Sequence, residues 1–220
     1  MSAKVAIIGG HGRVALRTIP ELFKRGYTVT ALIRNQDQKA DIEKLGATPI
    51  AADVQEMSTE EMAEIFQDQD VVVWAAGAGG GDPERTWAVD RDAAIRSMDA
   101  AQEVGIRHYV MVSYFGAGPR HGVPSDHSFY PYAEAKSIAD AHLQDSDLNW
   151  TILRPSELTD DEPTGTISTH DAHAKKVSRG NVAKSIAAVV AAFDSELKTG
   201  VARIININDG DSPIDTAVRS

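Results

Sequence analysis

Val5-Ala6-Ile7-Ile8-Gly9-Gly10-His11-Gly12-Arg13-Val14-Ala15 decides the fold. Val5 to Ile8 is continuously apolar and mostly β-branched, the composition of a short strand covered on both faces. The run stops at glycine, and a helical spacing of apolar residues begins near residue 12. At a strand-to-helix junction, Gly9-x-x-Gly12-x-x-Ala15 gives each small residue a physical reason. Gly9 permits a tight turn, Gly12 lets a diphosphate reach the backbone and the helix N-terminus, and Ala15 allows close helix packing. The pattern predicts a dinucleotide-binding turn in which Gly9, Gly10, His11, Gly12, Arg13 and Val14 surround the diphosphate.

Outward from this turn, strand-length apolar runs recur at 29–33, 49–51, 71–74, 109–112, 150–153 and 203–207. Amphipathic segments at about 12–25, 37–45, 58–67, 83–104, 131–146 and 180–193 separate them. Such alternation predicts right-handed βαβ units: an α/β Rossmann domain with a doubly wound parallel sheet of about seven strands. The 220 residues read as one NAD(P)-binding domain, 1–220, with 155–180 and 208–220 forming a small C-terminal, substrate-side portion. Two irregular stretches, about 114–130 and 156–179, follow strand C-termini, where open α/β sheets hold ligands. Pro20 falls inside the first helix and is expected to bend it near Arg17. Trp74 and Trp150 read as core residues.

Composition excludes several function classes. With 22 basic and 32 acidic side chains the net charge is −10, which repels nucleic acid and anionic membrane. There is no cysteine, so disulfides, thiolate metal sites and cysteine nucleophiles drop out. The N-terminal apolar run is too short for a signal peptide or a membrane span, and the chain is expected to be cytoplasmic. A monomer or weak homodimer acting on a small molecule is the expected assembly.

The end of the second strand bears on the choice of cofactor. NAD-binding turns carry an acid about 20 residues past the glycines. Here the sequence reads Leu32-Ile33-Arg34-Asn35. Arg34, helped by Arg13, suits a 2′-phosphate, which favours NADP(H) over NAD. Asp53, with Val54 beside it, either accepts from the adenine amino group or caps the following turn. Ala75, Ala76 and Gly77 after the fourth strand leave room for a cofactor, and Gly79-Gly80-Gly81 is expected to move on binding.

Tyr132-Ala133-Glu134-Ala135-Lys136 opens the helix after the fifth strand and puts a phenol and an ammonium on one helix face. With the glycine turn, the segments Trp150 to Leu158 and Val177 to Ala183 complete a pattern spanning nearly the whole chain. It resembles the short-chain dehydrogenase/reductase superfamily, in particular its small atypical branch of NmrA-like and biliverdin-reductase-B-like proteins, often described as NAD-dependent epimerases/dehydratases. The resemblance implies that Tyr132 is the general acid/base and that Lys136 binds the nicotinamide ribose and lowers the phenol pKa. It also implies a hydroxyl residue after strand five. Tyr114 occupies the usual place, so Ser113 is the candidate. Pro155 and Ser156 match the segment lying against the nicotinamide.

The resulting expectation is an NADP(H)-dependent oxidoreductase acting on a small carbonyl, quinone or flavin-like substrate. The alternatives are a non-catalytic, redox-sensing NADP(H) binder and a sugar-nucleotide epimerase/dehydratase. His170 and His173 lack a third ligand, and Asp160-Asp161-Glu162 reads as a solvated loop. His121 and His127 fall in the loop over the expected nicotinamide site. No Gly-x-Ser-x-Gly elbow is present.

Overall fold

The computed structural model describes residues 3–79, 82–196 and 202–219. Seven parallel strands form the body of its sheet: β1 (Lys4–Ile8), β2 (Thr28–Ile33), β3 (Thr48–Ala51), β4 (Val71–Trp74), β5 (His108–Val112), β6 (Trp150–Pro155) and β10 (Ala202–Asp209). They lie in the order β3-β2-β1-β4-β5-β6-β10, so the chain starts at β1, winds outward one way and then the other. The crevice where the winding reverses, between β1 and β4, lies beside the glycine turn, as open α/β sheets require of a ligand site.

Among the described residues the sheet has nine strands, not about seven. β8 (Thr166–Ser168) pairs antiparallel with β10, and β11 (Ser212–Pro213) pairs antiparallel with β8. β7 (Glu157–Thr159) and β9 (Lys176–Ser178) form a separate parallel pair. β7, β8 and β9 lie in the stretch that the sequence left irregular, and β11 in the C-terminal portion. Two or three residues are too few for a readable alternation, and such strands are defined by the partner edge they meet.

The pleat divides the core. Val5 and Ile7 of β1 pack on the face covered by α1 (Ala15–Lys24) and α7 (Arg179–Glu196). Ala6 and Ile8 face the other layer, made of α3 (Thr59–Phe66), α5 (Ala94–Glu103) and α6 (Tyr130–Asp145). Both faces are dry, which explains the continuous rather than alternating apolar runs. Trp74 and Trp150 are buried in the second layer. α1 runs unbroken through Pro20. The short helix α2 (Lys39–Lys44) follows a 3₁₀ turn, and α3 opens with a capping box in which Ser58 Oγ accepts from Glu61 N–H and the Glu61 carboxylate accepts from Ser58 N–H. The long helix expected at 83–104 is α4 (Pro83–Thr86), a π-helical segment Trp87–Ala93 and α5 in direct succession. α8 (Ile214–Ala217) closes the described chain. Among the described residues no helix is long and apolar enough to cross a membrane.

Candidate dinucleotide and substrate site

Gly9 has φ +78°, and a Cβ there would stand 2.6 Å from Ala76 Cα. The first turn and the end of β4 therefore touch backbone to backbone, which only glycine allows. A Cβ on Gly12 would meet Gly9 O at 3.1 Å. The backbone closes on itself here, with Gly12 N–H bonded to Gly9 O at 2.8 Å. α1 opens without a side-chain cap and with no acidic residue in its first turn. The N–H groups of Leu16, Arg17 and Thr18 return to the carbonyls of Gly12 and Val14, so what the helix opening offers an anion is the positive end of its dipole and the glycine turn ahead of it.

Around this turn lies a cleft of about 220 Å³, walled by Gly9, His11, Gly12, Arg34, Asp53, Val54 and the Ala75-Ala76-Gly77 stretch. Arg34 stands at one wall and Arg85, from α4, at another; neither guanidinium carries an ion pair or hydrogen bond among the described residues. In a chain of net charge −10, two guanidinium groups without a direct partner in one cleft, Arg85 attracted only at a distance by Asp90, mark a place for phosphate. His11 pairs with Asp41 at 3.2 Å. Asp53 lines the cleft and also caps its own turn, accepting from Gln55 N–H at 3.1 Å. Arg96 holds that turn from behind, donating to the carbonyls of Val54, Gln55 and Met57.

Gly12, Ala75, Ala76 and Gly77 are shared with a larger cavity of about 880 Å³ beside it. Val14, Ser113, Tyr132 and His127 line this second space, with Leu158 and Pro131 among its apolar walls. Phe129 and Tyr132 line it and Tyr114 packs against both, the three rings standing 5.3–5.6 Å apart, centroid to centroid. Phe129 is one of the few exposed large apolar side chains.

Beneath Tyr132 is a buried charge cluster. Lys136 is 1% exposed, and its ammonium donates to Met111 Sδ at 3.3 Å. Asp90 and Asp140 are equally buried. Arg154, from β6, closes on Asp140 Oδ2 at 2.9 and 3.1 Å, and Ser113 Oγ donates to the same oxygen at 2.9 Å. The two carboxylates balance the ammonium and the guanidinium. Burial drives the acids up and the lysine down, and their mutual attraction opposes both shifts. The Tyr132 phenol is raised by burial, then by the carboxylates of Asp90 and Asp140 and by Tyr114. It therefore stays protonated, as a proton donor must.

Several expected residues lie elsewhere. Gly10 backs onto β2, its N–H bonded to Leu32 O, and a Cβ there would strike Ala31. Arg13 reaches Asp160 at 3.4 Å instead of standing with Arg34. Asp160 also receives Arg17 at 3.3 Å and Arg179 at 3.0 Å, so the acidic loop is exposed, as expected, and its first residue links α1 to α7. Pro155 accepts Phe115 N–H through its carbonyl oxygen, and Ser156 Oγ bonds to Ile207 O and Asn208 Oδ1. Both serve the packing of β6 against its neighbours. His121 pairs with Glu134 at 2.9 Å, away from the cavity lining. Gly80 and Gly81 lie outside the described residues.

The sequence reading missed Gln38, Arg85 and Val89 in the cleft, and Asp90, Asp140 and Arg154 in the buried cluster. Asp140 was findable, four residues past Lys136 on the stripe that carries Tyr132.

This geometry fits a nicotinamide dinucleotide: a glycine cradle with no room for a Cβ, guanidinium groups for phosphate, and a cavity-lining phenol one turn from a buried ammonium. Known proteins agree. Residues 9–192 match the family model described as NAD(P)H-binding. A Bacillus subtilis protein described as the uncharacterized sugar epimerase YhfK is 34% identical, covering 98% of this chain and 99% of its own. The crystal structure of the oxidoreductase YlbE from Lactococcus lactis superposes with a TM-score of 0.83 at 26% identity, covering 98% of this chain and 95% of that one. A wide-type short-chain dehydrogenase/reductase from Veillonella parvula, solved in complex with NADP, shares the fold at TM-score 0.71 and 20% identity, over 98% of each chain. This chain belongs to the NAD(P)H-binding family.

Proposed function

We propose that this chain is an NADP(H)-dependent oxidoreductase that reduces a small, flat carbonyl, quinone or flavin-like compound. The observation that carries the reading is Tyr132. Its raised phenol lines an 880 Å³ cavity whose floor is shared with the adenosine cleft. Bound NADPH would supply the hydride, the chemistry no side chain here can perform. The glycine turn would hold the diphosphate, Arg34 and Arg85 the 2′-phosphate, and Lys136 the nicotinamide-side ribose. Tyr132 Oη gives its proton to the substrate oxygen or nitrogen, and Lys136 keeps positive charge beside the phenolate left behind. The aromatic trio of Tyr114, Phe129 and Tyr132 favours a planar, conjugated substrate. The Veillonella parvula complex with NADP supports the cofactor choice.

The test is NADPH oxidation against a panel of quinones, flavins and aldehydes, with Tyr132→Phe as the matched variant. Consumption of NADPH that depends on Tyr132 supports the reading; an unchanged rate in Tyr132→Phe for every accepted substrate removes it.

A second reading, a non-catalytic redox sensor, is favoured by one observation: the Ser113 hydroxyl is committed to Asp140 and so has no proton to offer a substrate. It predicts partner affinity that differs between NADPH and NADP⁺ with no substrate consumed. Epimerisation, suggested by the name of the Bacillus subtilis relative, would instead interconvert a nucleotide sugar without net NADPH oxidation.

A further inference from the structure

The helix expected at 83–104 is interrupted by a π-helical segment, Trp87–Ala93. Such turns cost helix stability, and they cluster where one side chain must be re-aimed. The side chain re-aimed here is Asp90, 1% exposed. Its Oδ2 accepts Ala78 N–H at 2.9 Å. Its Oδ1 is buried and has no hydrogen-bond partner among the described residues.

A buried carboxylate oxygen left without a donor is expensive, and the expense calls for an explanation. Where the oxygen points supplies one. Asp90 lines the larger cavity, and its Oδ1 lies 3.2 Å from the place a Cβ on Gly77 would occupy. Gly77 belongs to both cavities, so this oxygen stands at their junction. A Cβ at position 77 would press against it; glycine keeps that side free of a side chain. Lys136, which attracts Asp90 electrostatically, is the complementary case: three ammonium donors, of which one meets a thioether sulfur at 3.3 Å.

The spare acceptor stands at the junction of the cavities, and the spare donors belong to the buried ammonium that attracts it. A hydroxyl satisfies both at once, because it donates one hydrogen and accepts others. The junction of an adenosine-side cleft with a substrate-side cavity is where the second sugar of a dinucleotide passes. We propose that Asp90 is a cofactor-binding residue, its free carboxylate oxygen receiving a hydroxyl of the nicotinamide-side ribose while Lys136 donates to the same diol. The assignment rests on the dinucleotide reading above. The π-helical segment is then the backbone device that delivers the carboxylate. Burial raises the Asp90 carboxyl, opposed by Lys136, by the Ala78 N–H and by Arg85.

The experiment is calorimetric titration, without turnover, of wild type, Asp90→Ala and Asp90→Asn with two probes. NADPH carries both sugars; adenosine 2′,5′-bisphosphate carries only the adenosine side. Asp90→Asn keeps the volume and an oxygen for Ala78 N–H, and thermal melting checks that each variant folds. The expected result is about a tenfold or greater loss of NADPH affinity in Asp90→Ala, the worth of a charge-assisted hydrogen bond, with bisphosphate affinity unchanged. Asp90→Asn, if Asp90→Ala does not fold, should show the same selective loss, smaller in size. Equal loss on both probes would make Asp90 a structural residue, and no loss on either would leave its oxygen unused; both overturn the proposal. If wild type binds the bisphosphate and NADPH equally well, the nicotinamide side contributes nothing and the proposal also falls. Failure of the dinucleotide reading itself looks different: wild type then binds neither probe.

Discussion

Ser113 donates its hydroxyl proton to Asp140 Oδ2 at 2.9 Å, the same oxygen that Arg154 holds with two N–H groups. The hydroxyl lines the substrate cavity, yet its single proton points away from it, into the protein. Asp140 in turn neighbours Lys136 on α6, so the hydroxyl belongs to the scaffold of the buried cluster.

Removing that hydroxyl should therefore matter little to turnover. Ser113→Ala leaves Arg154 on Asp140 and forfeits one hydrogen bond, about 1 kcal/mol of stability. Its kcat should fall less than about tenfold, whereas Tyr132→Phe, which removes the proton donor, should cost about 10²- to 10⁴-fold. Steady-state kinetics on one accepted substrate decides. A Ser113→Ala loss as large as that of Tyr132→Phe would show that Ser113 turns its proton to the substrate during the reaction.

Arg34 and Arg85 predict selectivity. Each offers an unpaired guanidinium to the same 220 Å³ cleft. If both reach the 2′-phosphate, Arg34→Ala and Arg85→Ala should each weaken NADPH binding by about ten- to a hundredfold and leave NADH nearly unchanged. An equal loss for NADPH and NADH in Arg85→Ala would mean that it covers the adenine instead. An unchanged ratio in Arg34→Ala would remove the basis for choosing NADP.

The same residues show how far the sequence was legible. The glycine turn, the order of the seven parallel strands' elements and the Tyr132/Lys136 pair all follow from local periodicity and spacing. Arg85 was unreadable because a helix residue reaches the cleft only through the packing of α4 against the turn. Asp90 was unreadable for a different reason. A π-helical segment breaks the 3.6-residue period that sequence reading assumes, so its buried face cannot be projected from its neighbours. Arg13 was misplaced because its partner, Asp160, lies 147 residues away. β8 and β11 were missed because edge pairing is a tertiary event.

Acid sensitivity should trace in part to His108. It is fully buried at the start of β5, stacked on Phe193 at 4.4 Å and hydrogen-bonded through Nε2 to Thr151 Oγ1 at 3.0 Å. Burial pushes its imidazole from 6.5 down to about 3. Between those values the unfolded chain binds a proton that the folded chain refuses, so stability falls as pH falls from about 6.5 toward 3. From pH 7 to pH 5 this one group should remove about 2 kcal/mol. Urea unfolding at the two pH values measures it. His108→Asn should be less stable at pH 7 but lose less between pH 7 and pH 5; an identical loss in both proteins would assign the acid sensitivity elsewhere.

Two glycines with nearly the same backbone angle separate conformational strain from steric closure. Gly9 has φ +78° and Gly79 φ +83°, so alanine at either position pays for a left-handed conformation, about 1–2 kcal/mol. At Gly79 nothing among the described residues lies within 4 Å of the new Cβ, and the cost should end there. At Gly9 the Cβ would press against backbone, 2.6 Å from Ala76 Cα and 2.7 Å from Ala76 N, which cannot yield without moving β4 from β1. Gly9→Ala should therefore lower Tm by several degrees more than Gly79→Ala, since about 1 kcal/mol is worth about 2–4 °C in a chain of this size. It should also abolish dinucleotide binding, because the displaced turn is the one that would hold the diphosphate, while Gly79→Ala keeps it. Equal melting shifts in the two variants would show that the turn and the end of β4 separate easily, and the tight backbone contact at the sheet's switch point would lose its explanatory role.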